Sequence, residues 1–221
     1  MNIESSEFTL WVEGFAPGAT LKEICTEANL SLSTISEQRS GQRITPKTII
    51  AIARAYRLNP GNELATFSGY ESLAKAPLTL VDAAPFYSAL ELLHQWFVRK
   101  GKSHPGLVFA APEAKLKRWI DVNRKSATQR ELAQHLTMQP SNFSQQIKDG
   151  TLSIPRIIEL ATYLGTSPLP GLVAAGYMLF EEVFSQNPED YLIRRPDNEL
   201  LSALVKGTIF LPSDITHIIV P

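Results

Sequence analysis

The stretch NLSLSTISEQRSG, Asn29 to Gly41, surrounds one apolar residue, Ile35, with hydroxyls and short polar side chains, then stops at a glycine. A buried helix would carry bulk at most of these positions. With a helical turn of about 100° per residue, Ile35 marks one side, Ser33 and Glu37 lie about 200° away, and Thr34 and Ser36 sit on the flanks. The spacing predicts a short helix held by a single anchor, its outward face low and polar.

The same arrangement recurs further along. Shifting the chain by 108 residues aligns 8–60 with 116–168 without a gap, and eleven of the 53 positions are identical, among them Trp11/Trp119, Thr20/Thr128, Glu23/Glu131, Ser33/Ser141, Ser36/Ser144 and Pro60/Pro168. The opening stretch therefore has a counterpart in which Phe143 replaces Ile35 as anchor. Ser141, Gln145 and Lys148 are then turned outward, with Asn142 and Ser144 beside them.

Each copy shows helical periodicity and helix-start signals, which predicts an all-α chain with five helices per copy. The first carries Trp11 or Trp119, both expected in the core. The second buries Leu21, Ile24 and Cys25, or Leu132, Ala133 and Leu136, and the third is the anchored polar helix. Gly41 and Gly150 are expected to end it in the left-handed conformation. Thr45 before Pro46, and Ser153 before Ile154-Pro155, are expected to cap the fourth helix; Asn59-Pro60 and Ser167-Pro168 should open the fifth.

Short donors and acceptors on a protruding helix suit base edges, because the major groove of B-DNA admits one helix and rewards Asn, Gln, Ser and Arg contacts. The segments LKEICTEANLSLSTISEQRSG and QRELAQHLTMQPSNFSQQIKDG resemble the Xre-like (Cro and phage-repressor) helix-turn-helix family, over roughly 8–70 and 116–177. The resemblance implies that each third helix reads DNA, as in phage and prophage immunity repressors. The candidate contacts are Ser33, Thr34, Ser36 and Glu37 in the first copy, with Arg39, Arg43 and Lys47 for phosphates. In the second they are Gln139, Ser141, Asn142, Ser144 and Gln145, with Lys148 and Arg156 for phosphates. Ser36 and Ser144 have packing or capping as their alternative role. The sequence departs from the family pattern at Cys25, where alanine is usual, and at Asn29 and Thr137, where the turn usually holds glycine. Glu37 repels phosphate and suits the groove only by accepting from a cytosine amino group.

Composition sets outer limits. At 221 residues, with 44% hydrophobic content, the chain can build one large or two small cores. No apolar run approaches the roughly 18 residues a membrane span needs. The acidic start MNIESSEF lacks the basic character of a signal peptide, so a cytoplasmic, nucleoid-associated location is expected. Cys25 is the only cysteine, which excludes an internal disulfide and a cysteine-cluster zinc site. No metal spacing involves the four histidines, and no cofactor is expected. The net charge of −1 hides an uneven distribution: residues 99–130 hold nine Lys or Arg against two acids, a basic island between acidic flanks.

Between the copies, Pro85 is expected to open a helix running to about Arg99, with Phe86, Leu90, Leu93 and Phe97 on one stripe, followed by a flexible break from Gly101 to Gly106. The tail suggests a helix from Asp197 to Lys206 and then a short strand in GTIFLPSDITHIIVP. The expected organisation is a first helix-turn-helix domain at 1–75, a helical linker at 76–111, a second such domain at 112–180 and a C-terminal extension at 181–221. The function expected is that of a sequence-specific double-stranded-DNA-binding transcriptional repressor, not an enzyme, with no membrane or small-molecule substrate as partner. Because the two outward faces differ, one chain should read an asymmetric site. It should act as a monomer, with the linker helix as the alternative seam of a homodimer. The competing reading is a protein-interaction module in which only the second copy binds DNA.

Overall fold

The computed structural model describes residues 2–41, 43–74, 77–102 and 112–207, which group into two compact units, 1–75 and 76–221. The fold is all-α. Among the described residues the only extended pairing is an isolated antiparallel bridge between Ile3 and Ile44, and no helix is long and apolar enough to cross a membrane.

The first unit holds α1 (Ser5–Phe15), α2 (Leu21–Glu27), α3 (Leu32–Ser40), α4 (Pro46–Ala55) and α5 (Pro60–Leu64), then a 3-10 turn at Glu71–Ala74. Local chemistry sets these boundaries. Thr20 and Glu23 form a reciprocal capping box that starts α2, and Asn29 takes a left-handed φ of 52° in the turn to α3. Thr45 accepts from the Thr48 amide and Asn59 from the Asn62 amide, each directly before a helix-opening proline. The core gathers Phe8 and Val12 from α1, Ile24 and Cys25 from α2, Ile35 from α3, and Ile49, Ile52 and Ala53 from α4. Leu21 is only half-buried.

The second unit repeats that series as α8 (Lys115–Asn123), α9 (Gln129–His135), α10 (Pro140–Asp149), α11 (Ile154–Leu164) and α12 (Pro168–Ala174), preceded by α6 (Leu80–Ala83) and α7 (Ala89–Arg99). The correspondence reaches individual bonds. Thr128 and Glu131 repeat the capping box, and Thr137 repeats the left-handed turn residue with φ of 53°. The Leu30 amide donates to the Cys25 carbonyl and the Met138 amide to the Ala133 carbonyl, both at 2.8 Å. Ser153 stands at the start of α11 but its side chain makes no capping bond, whereas Ser167 accepts from the Leu169 amide.

Three further expectations change. Gly150 closes α10 with φ of 70°, but Gly41 stays right-handed at φ −80°. In the gapless register Gly41 aligns with Asp149, one residue ahead of Gly150. Trp119 is fully buried, but Trp11 is only half-buried. The 108-residue offset places Glu63 where the second copy has Gly171. Gly171 lets the Trp119 ring seat against bare backbone, whereas Glu63 takes up that room and receives the Trp11 Nε1–H at 2.7 Å. The third change concerns the segment between the copies.

Pro85 lies in a 3-10 turn, Ala84–Phe86, and α7 begins later, from a capping box of Ser88 and Glu91. Its inner face is Ala89 and Leu92; Leu90 and Phe97 are exposed, so the expected stripe is rotated. What α7 packs on is the tail: α13 (Phe180–Phe184), α14 (Pro188–Arg194) and α15 (Asp197–Gly207). Leu80, Phe86, Tyr87 and Leu92 share one apolar cluster with Phe180, Phe184, Tyr191, Leu192, Leu200 and Ala203. The expected helix from Asp197 matches α15. The Gly101–Gly106 break falls mostly, and the C-terminal strand wholly, outside the described residues.

Candidate nucleic-acid interface

Each third helix is fixed from behind and open in front. In α3, Ile35 is 1% exposed, while Ser33, Thr34, Ser36 and Glu37 are all exposed. The helix is braced at its far end by polar bonds. Gln38 Oε1 accepts from the Thr45 amide at 3.0 Å and the Thr48 hydroxyl at 2.9 Å, and Ser5 Oγ donates to the Arg39 carbonyl at 2.7 Å. Of these bracing residues, Thr45 is the expected helix cap and Gln38 is one of the identities of the repeat, with Gln146, but neither is a candidate contact.

In α10, Phe143 and Ile147 are buried, and Gln139, Ser141, Asn142, Ser144, Gln145 and Lys148 are exposed. Pro140 occupies the first turn, where a missing amide costs nothing. The amides are aligned along the helix: Gln145 Nε2 donates to Asp149 Oδ2 at 2.6 Å and Gln146 Nε2 to Asn142 Oδ1 at 3.0 Å. Bonds of this i to i+4 kind limit the rotamers an outward amide samples, which lowers the ordering cost of a later contact.

The cations divide into two groups. Arg43 and Lys47 are exposed, and Arg39 and Arg156 are half-buried. Lys148 and Lys115, the latter absent from the candidate set, both line a depression of about 250 Å³, together with Asp149 and Gly150. Much of the basic island, by contrast, is spent inside the unit. Arg99 and Lys100 bind the Asp197 carboxylate at 3.0 and 3.2 Å, and Lys117 and Arg124 bind Asp121 at 2.6 and 3.0 Å. Arg118 donates to the carbonyls of Pro85 and Tyr87. Lys102, Lys115, Lys125 and Arg130 remain exposed.

The second helices hold their own counter-charge. The backbone amide and then the hydroxyl of Thr20 hold the Glu23 carboxyl below its ordinary range, and Thr128 does the same for Glu131. With these carboxylates on the N-termini of α2 and α9, a phosphate has little to gain at those two helix starts.

The outward faces are chemically unlike. Position by position in the alignment, Thr34 corresponds to Asn142, Glu37 to Gln145, and Ser40 to Lys148. Among the described residues no group of three or more His, Cys, Asp or Glu could hold a metal ion. No family model, curated protein or solved structure matches the chain.

Proposed function

We propose that this chain is a sequence-specific double-stranded-DNA-binding transcriptional repressor, similar in organisation to phage immunity repressors. It carries two helix-turn-helix copies that read different half-sites. The observation that carries this reading is the repeated design of the third helix. One fully buried anchor, Ile35 or Phe143, supports an exposed row of short polar side chains at matching positions. A helix kept low in this way approaches base edges closely, while Arg43, Lys47, Lys115 and Lys148 supply phosphate contacts. Unlike rows imply an asymmetric site read by one chain, in the cell compartment where the DNA lies.

Selection of bound duplexes from random DNA by the purified chain tests this. The expected result is a non-palindromic consensus whose binding weakens steeply with salt, by roughly 0.9 log unit per phosphate contact for each log unit of salt. Gln145→Ala should then cost about 1–3 kcal/mol at one base pair and leave preference elsewhere unchanged. Failure to enrich any sequence, or enrichment of a perfect palindrome bound by two chains, would overturn the proposal.

A second reading has one observation in its favour: α3 presents Glu37 where α10 has Gln145, and Ser40 where α10 has Lys148. On this reading only the second copy binds DNA and the first is an interaction module. Replacing Ser33 and Glu37 together by alanine in the full chain separates the two, since only the first reading predicts loss of one half of the consensus.

A further inference from the structure

The half-burial of Trp11 leaves a groove on the first unit, of about 590 Å³, within the size range of small-molecule sites. Its walls are aromatic. Trp11 stands 4.8 Å from Phe15, inclined at 61°, and 5.5 Å from Phe67, inclined at 65°. These are edge-to-face rather than stacked contacts, and Phe8 adds a third ring 6.1 Å from Trp11, inclined at 44°.

Two carboxylates and no cation line the same groove. Glu63 accepts the indole N–H of Trp11, which places a negative charge at the ring edge and draws electron density into the π system. Glu7 accepts from the Ser68 hydroxyl. Among the described residues neither carboxylate has an ion-pair partner. Above α1 the space is open, since a Cβ on Gly14 would meet nothing within 4 Å.

We propose that this groove binds a small organic cation, an ammonium group carried on an apolar body. The charge would rest on the Trp11 face between Glu7 and Glu63, and the body on Phe15 and Phe67. The aromatic faces and the unpaired negative charge both favour such a ligand, whereas a hard metal ion would find two carboxylates on hydrocarbon walls and too few oxygens. This inference does not depend on the DNA-binding reading, because its measurement involves no DNA.

The test uses the full chain labelled with ¹⁵N. Its three tryptophans give three indole N–H signals, of which Trp11→Phe identifies one. Phenyltrimethylammonium is the probe and tert-butylbenzene its neutral match in shape. The expected result is a saturable shift of the Trp11 signal by the cation, with the Trp96 and Trp119 signals unmoved, and binding of the neutral match at least about tenfold weaker. Glu7→Gln should weaken the cation several-fold without weakening tert-butylbenzene, and Gly14→Leu should block both. Glu63→Gln should act in the same direction; because it also touches the Trp11 bond, Glu7→Gln is the decisive variant. Equal binding of the two probes, insensitivity to Glu7→Gln, shifts at the other two indoles, or no saturation at millimolar cation would each overturn the proposal.

Discussion

Adding one methyl group at Gly171 tests how tightly the second copy is built around Trp119. A Cβ placed there would lie 2.8 Å from Ile157 Cγ2 and 2.9 and 3.0 Å from two carbons of the Trp119 ring. Both neighbours are fully buried, so neither can swing into solvent. Three contacts at or inside 3 Å put the penalty near the upper end of the overpacking range, about 3 kcal/mol. The substitution also has a favourable side, since glycine within α12 gives way to a better helix former, worth up to about 1 kcal/mol. The net expectation for Gly171→Ala is a loss of about 2 kcal/mol, or roughly 4–8 °C in the thermal midpoint of a unit this size. Near-UV circular dichroism follows the Trp119 environment during urea unfolding. Gly14→Ala is the internal comparison: it lies in α1 with nothing within 4 Å, so it should gain about 0.5–1 kcal/mol. A Gly171→Ala protein as stable as the parent, or more so, would mean that the Trp119 pocket yields freely and that the contrast with Trp11 has another cause.

The repeated capping boxes predict an acid limb to stability. Glu23 and Glu131 are held below their ordinary values by Thr20 and Thr128, and Asp197 by Arg99 and Lys100. Their contribution is therefore full above the unfolded carboxylate range and is lost as pH falls through the lowered folded values. Thermal midpoints taken from pH 7 down to pH 3 should fall along this limb and fall less for Glu131→Gln; an unchanged slope would count against the assignment. Thr128→Ala should cost about 1 kcal/mol at neutral pH. Arg118→Met should cost about 1–3 kcal/mol in urea unfolding, because it removes the donors to the Pro85 and Tyr87 carbonyls of buried residues; an unchanged midpoint would mean that water replaces them.

Periodicity carries most of the helical architecture. Thr20, Thr128, Asn59 and Ser167 announce helix starts through bonds confined to a few residues, which is why the repeat and the five helices per copy are legible without coordinates. The exposed polar row follows for the same reason, since one anchor fixes a whole helix face. What is not legible depends on distant partners. The stripe on α7 was misread because its inner face is chosen by Tyr191, Leu192 and Leu200, about a hundred residues away, and no local pattern names them. In the basic island, Asp197 takes Arg99 and Lys100 from nearly a hundred residues away, which no local pattern shows, whereas Asp121 pairs with Lys117 and Arg124 at spacings readable in the sequence. Trp11 and Trp119 are identical in the alignment, yet their burial is decided at positions 63 and 171, at the far end of each copy.

The way the two copies differ is itself informative. Their inner positions exchange one apolar residue for another of comparable role: Ile24 for Leu132, Cys25 for Ala133, Ile35 for Phe143, Ile44 for Leu152, all buried. Cores tolerate such exchanges as long as volume and pattern are kept. On the exposed side of the third helix the exchanges alter chemistry instead, with carboxylate against amide at 37 and 145 and hydroxyl against ammonium at 40 and 148. A scaffold repeated only for bulk would leave those outer positions to vary without regard to size. Here Ser33/Ser141 and Ser36/Ser144 stay identical among them, and Thr34/Asn142, Glu37/Gln145 and Ser40/Lys148 remain polar. Two copies held to one shape and one low polar profile, yet carrying different charges, are suited to grooves of the same geometry with different base edges. The largest divergence away from that face, Glu63 against Gly171, opens the aromatic groove in the first copy and closes its equivalent in the second. The first copy thus has a feature that the proposed DNA reading does not require, and the proposed cation ligand would give that feature a use.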